Sequence, residues 1–116
     1  MNKKNIDKLI PKAMKELSKL AKNGVIDKKY QGYLASFGPT VIASGIVKTV
    51  TIYIDEAKTN KKRKEVTNMM FSLINENPKE FIKDGKNNLN YTLKNKILEA
   101  NIACKLAIRT FELKEE

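Results

Sequence analysis

The sequence predicts an all-α fold, a compact single-domain bundle of five to six helices spanning residues 1–116. Three observations predict it. Apolar residues recur at spacings of three and four along most of the chain, the period of a helix buried on one side. The one β-branched run has no convincing strand partner, and a lone strand is not stable. At 116 residues the chain is long enough to close one core without a metal or disulfide.

The first helix is expected over residues 4 to 22. Leu9, Ala13, Leu17 and Leu20 cluster on one side with Ile6, Ile10, Met14 and Ala21. Lys4, Lys8, Lys12, Lys15, Lys19 and Lys22 fall in an arc of roughly 80° on the other side. Asn23 and Gly24 read as a C-terminal stop. Pro11 either kinks this helix or marks its first turn, leaving residues 1 to 10 as an arm.

Asp27 is an N-cap for the second helix. Tyr30, Tyr33, Leu34, Phe37, Val41 and Gly45 then follow a helical period. Pro39 removes one hydrogen bond and pushes on the carbonyl of Ala35, so a kink is expected near residues 37 to 39. Gly38 would let another helix approach closely, and Gly45 stops the helix. Residues 46 to 57, "IVKTVTIYIDEA", are β-branched enough for a strand. They also place Ile46, Val50, Tyr53 or Ile54, and Ala57 on one helical face. With no strand to pair with, they are read as helix.

Residues 58 to 64, "KTNKKRK", connect into a fourth helix with Val66, Met69, Met70, Leu73 and Ile74 on its apolar side. Asn75, Asn77 and Pro78 end it. Pro78 opens a short helix through Lys83, and "DGKNN" is a loop. The last helix is placed at 89 to 113, with Leu93, Ile97, Ala100, Cys104, Ala107 or Ile108, and Phe111 as its stripe. The terminal "KEE" should fray.

Composition narrows the chemistry. There is no His and one Cys, which excludes a zinc cluster and a Cys–His nucleophile pair. No phosphate-binding glycine loop or dinucleotide fingerprint is present. The adjacent carboxylates Asp55–Glu56 and Glu115–Glu116 would diverge by about 100° on a helix, which suits solvated surface better than a metal pair. Tyr30, Tyr33 and Tyr53 could stack on bases, but their spacing fits core or partner contacts better. No catalytic residue, metal or cofactor is therefore expected, and the chain is read as a non-enzyme. Cys104 falls at a core position and suits a reducing compartment. No secretory leader or membrane span is read, so a soluble cytoplasmic protein is expected.

The charge is lopsided, with 23 Lys and Arg against 13 Asp and Glu, a formal +10. That predicts a polyanionic partner. The candidate nucleic-acid contacts are Lys8, Lys12, Lys15, Lys19 and Lys22 on the first helix, Lys61, Lys62, Arg63 and Lys64 in "KKRK", and Arg109, which forms a looser set with Lys94 and Lys105. The first-helix stripe is about 27 Å long at 1.5 Å per residue, long enough to follow several phosphates. A solvated helix face is the plainer reading of any such arc. "KKRK" would also serve as a nuclear localisation signal in a eukaryotic protein. With two arginines and no clear helix-turn-helix, contact with the backbone rather than with base edges is expected.

The stretch "YQGYLASFGPTVIASGIVKTVTIYIDEA", residues 30 to 57, resembles the signature region of the small α-helical subunit of the Cmr complex. That complex is the type III-B CRISPR RNA-guided effector. The resemblance rests on Tyr30 and Tyr33, Ser36-Phe37-Gly38, Ser44-Gly45 and the apolar helix from Ile46 to Ile54. Pro39 stands where the family commonly has Ala or Ser. The layout of the flanking helices is similar along essentially the whole chain.

The resemblance implies a non-catalytic, basic, all-α subunit acting in antiviral defence. Its copies would stack on one another along the groove where guide RNA pairs with target RNA. Its other partners would be the backbone RAMP subunit and the large polymerase-like subunit. Alternatives are the type III-A small subunit, a sequence-independent basic DNA-binding protein, and an enzyme of unknown chemistry.

Overall fold

The computed structural model describes residues 1–55, 61–83 and 91–115. Six helices and two short strands make up the described chain: α1 Lys3–Leu20, β1 Val25–Asp27, α2 Lys28–Ser44, α3 Ile46–Ile54, α4 Lys61–Leu73, α5 Pro78–Lys83, α6 Tyr91–Ile108 and β2 Glu112–Lys114. The all-α bundle expected from the periodicity is what forms. The loop reading of "DGKNN" falls outside the described residues, as do residues 56 to 60.

The core is one cluster. α6 lies at its centre and packs on α1, α2 and α4. Its Ile97, Ala100, Ala103, Cys104, Ala107 and Ile108 are all fully buried. They meet Leu17, Ile26, Leu34, Phe37, Val50, Val66, Met70 and Phe71 from the surrounding elements. Each buried Leu, Ile or Phe contributes about 1.5–3 kcal/mol. Phe37 meets Tyr53 edge-on at 5.3 Å, and Phe71 meets Phe81 at 5.6 Å.

Helix ends follow their local chemistry. Asp27 caps α2 as expected, its carboxylate accepting the Lys29 N–H at 3.0 Å. α2 breaks at Gly45, which holds a φ of 84°. α4 ends in a Schellman motif with Asn75 at φ 57°. There the Glu76 N–H donates to the Phe71 carbonyl at 3.0 Å and the Asn75 N–H to Ser72 at 3.1 Å. Asn77 then caps α5 through the Lys79 N–H at 2.8 Å, with Pro78 at the first helical position.

Both internal prolines are tolerated for one reason. α1 runs through Pro11 and α2 through Pro39, so the N-terminal residues are no separate arm. Each proline is exposed, and so are Asp7 and Ala35, whose carbonyls lose their partners. On that exposed side of each helix, solvent can replace the donor that proline removes.

Three expectations are corrected. Asn23-Gly24 is not a helix cap, because α1 has already ended at Leu20. Both residues have positive φ, 55° and 78°. Lys22 and Val25 exchange backbone hydrogen bonds of 2.9 and 3.1 Å across them, as in a two-residue hairpin turn. The last helix stops at Ile108, short of 113, and Glu112–Lys114 is a strand rather than a frayed tail. It pairs in parallel with β1, Val25 opposite Glu112 and Asp27 opposite Lys114. Gly38 is not required for a close approach, since a Cβ there would meet only Asn101 Oδ1 at an ordinary 3.8 Å.

Two fastenings set the direction of α1 against α6. At one end the backbone N–H of Asn2 donates to Glu99 of α6 at 2.8 Å. Glu99 thereby supplies the negative charge that the first turn of α1 lacks. At the other end the strand following α1 pairs with the strand following α6. The first and last helices therefore run side by side in the same direction.

A lysine-banked furrow as candidate nucleic-acid interface

The lysine arc of α1 borders a furrow. With Ala13 and Leu17 buried against α6 and α4, the residues a quarter-turn away, Leu9, Glu16 and Leu20, are half-buried. Lys8, Lys12, Lys15 and Lys19 are exposed above them, Lys19 in an ion pair with Glu16. Four clefts of about 250 to 320 Å³ follow this side of α1 and share lining residues, so they form one continuous depression. Lys8 to Lys19 covers about 17 Å of helix at 1.5 Å per residue.

The two banks differ. The α1 bank is cationic. Facing it, Asn68 and Ser72 of α4 and Asn75 just past that helix make a polar middle, all exposed, while Lys61 and Lys62 of α4 and Lys96 of α6 add cations at the two ends. The floor between them is apolar, with Leu20, Met69 and Leu73, and carries two carboxylates, Glu16 and Glu65. Glu16 is held by Lys19 at 2.6 Å and by the Ser72 hydroxyl at 3.3 Å. The hydrogen bond from Lys19 keeps its carboxyl below the usual range. Glu65 accepts the Tyr30 hydroxyl at 3.2 Å.

The furrow gathers some of the expected contacts and not others. At its β1 end it brings Lys19 and Lys22 of the first cluster together with Lys61 and Lys62 of the second. Lys62 is already committed: it pairs with the nearly buried Asp27 and lies over the Tyr30 ring, 5.9 Å from its centre. Arg63 is committed too, stacked over Tyr33 at 5.1 Å and Tyr53 at 5.4 Å. Lys64 is half-buried. Arg109 is exposed just past the end of α6 and does not line the furrow.

The tyrosines take the structural role. Tyr30 and Tyr53 are 7% and 3% exposed. The Tyr53 hydroxyl bonds Ser36 at 2.5 Å and the Tyr33 carbonyl at 3.0 Å.

Lys96 was not among the expected contacts, yet it lines the far end with Lys8 and Lys12. It is 84 and 88 residues from Lys12 and Lys8 in sequence, and only the α1–α6 pairing brings it there. The polar bank of α4 was missed for a related reason: isolated Asn and Ser on a helix carry no signal until the facing helix is known. Cys104 is fully buried, and burial pushes its thiol up to about 12. The described residues contain no group of three His, Cys, Asp or Glu able to hold a metal. Glu56 and Glu116, the second members of the two carboxylate pairs, lie outside them. No helix among the described residues is long and apolar enough to cross a membrane. Comparison with family models, curated proteins and solved structures gave no match.

Proposed function

We propose that this chain is a non-catalytic small subunit of a type III-B CRISPR effector, the Cmr complex, that contacts RNA backbone through the lysine bank of α1. The observation that carries the RNA contact is this bank: exposed lysines at every turn, Lys8, Lys12, Lys15 and Lys19, with Lys22 just beyond, beside a depression they share with Lys61 and Lys96. The resemblance of residues 30 to 57 to the Cmr small subunit supports the family. On this reading the guide and target RNA, the RAMP and polymerase-like subunits and further copies of the chain are its partners, in the cytoplasm, and strand cleavage belongs to other subunits.

The test has two parts. Tagged chain expressed in its native host is expected to bring down RAMP-type proteins and repeat-derived guide RNA; recovery of duplex DNA alone would point to a DNA-binding protein instead. The isolated chain is expected to bind RNA with an affinity that falls steeply with salt. Five lysine contacts give a slope of log K on log salt of about −3.5. The variant Lys8→Glu, Lys12→Glu, Lys15→Glu, Lys19→Glu should lose most of this binding with little change in Tm, because these side chains face water. Unchanged RNA binding would reduce the lysine bank to a solvated surface.

A further inference from the structure

We infer that Asn23 is a site of spontaneous deamidation, and that the product loosens the β1–β2 pairing that fastens α1 to α6. Asn23 is the one asparagine in the sequence followed by glycine. Both residues are exposed, in the tight turn that leads into β1. Glycine has no side chain to shield its nitrogen, and the space where a Cβ of Gly24 would stand holds no atom within 4 Å. The Gly24 N–H donates to no group among the described residues, so the attacking nitrogen gives up no hydrogen bond. The bonds between Lys22 and Val25 brace the turn. They slow the attack without preventing it, because a loop tip opens locally at low cost.

The reaction balances with water alone. A base in solution takes the Gly24 amide proton, and the nitrogen bonds to Cγ of Asn23. The Cγ–Nδ2 bond breaks and ammonia leaves, closing a cyclic imide. Water then opens the imide at either carbonyl. Opening at the side-chain carbonyl leaves an ordinary aspartyl residue. Opening at the backbone carbonyl leaves an isoaspartyl residue, whose main chain runs through the former side chain and is one methylene longer. That methylene enters just before Gly24, whose carbonyl accepts the Glu112 N–H at 3.3 Å. It lengthens a turn built for two residues and shifts this carbonyl away from β2. Either product also places a carboxylate beside Lys22.

Ageing the folded full chain in mildly alkaline buffer, followed by cleavage after lysine and mass spectrometry, tests the chemistry. The peptide from Asn23 to Lys28 is expected to gain the mass difference between an amide and an acid. It should also become a substrate for isoaspartyl methylation, at a rate that rises with pH because the attack needs the deprotonated amide. The Tm of the parent should fall as the isoaspartyl form accumulates. The variant Asn23→Gly keeps a turn that accepts positive φ but carries no side-chain amide, and its Tm should hold through the same ageing. If that peptide keeps its mass in the folded chain while gaining it in urea, the fold protects the turn and the inference is overturned. Modification without a fall in Tm, or an equal fall in Asn23→Gly, overturns the link to the β1–β2 pairing.

Discussion

Gly45 and Gly38 stand seven residues apart and make opposite demands. Gly45 holds a φ of 84° in open space, so a side chain there costs backbone strain and not packing. Gly45→Val is expected to lower stability by about 1–3 kcal/mol, read as a fall in Tm. Gly38 sits inside α2 with ordinary helical backbone and room for a methyl group. Gly38→Ala should leave stability unchanged or raise it by up to about 1 kcal/mol. Both glycines were visible in the sequence, but only the φ angle distinguishes the required one from the permitted one. Asp27 carries a pH dependence. The Lys29 N–H, followed by Lys62, holds its carboxyl below the usual Asp range. A carboxylate depressed by folding stabilises above its unfolded pKa, and that contribution is lost as pH falls through the folded value. Stability should therefore decline as pH drops below the ordinary Asp range, and Asp27→Asn should flatten that limb of an acid titration followed by circular dichroism.

Among the elements, the helices were legible and the strands were not. A helix writes its burial into a local period, so α1, α2, α4 and α6 could be placed from spacing alone, and the N-cap Asp27 and the stop at Gly45 from single residues. A three-residue parallel strand has no period to read. Its partner lies far along the chain, and its pairing depends on α1 and α6 having already docked. The terminal "FEL" therefore looked like the end of a helix, and "KEE" like a frayed tail. Its structural role predicts a measurable cost. Removing residues 112–116 deletes β2 and the half-buried Leu113, which packs on the core, and leaves the edge of β1 unpaired. The truncated chain should lose about 1–3 kcal/mol in urea unfolding. A frayed tail would give no change.

At the scale of the whole molecule, the formal charge of +10 was plain in the composition, but the sequence could not say which cations share a surface. The α1 arc survived because one helix face is a local property. Half of "KKRK" did not, because Asp27, Tyr30, Tyr33 and Tyr53 engage Lys62 and Arg63 from elsewhere in the chain. The furrow exists only once α1 and α4 lie beside each other. The pairing of the first helix with the last also orders events in time. The hydrogen bond from Asn2 to Glu99 closes a separation of 97 residues, at a loop-closure entropy of roughly 4 kcal/mol. During synthesis α1 emerges before α6, and the part of its apolar face that α6 covers stays open until α6 has followed it. A message truncated before α6 would therefore release a basic amphipathic helix that has lost its principal packing partner and keeps only its contact with α4.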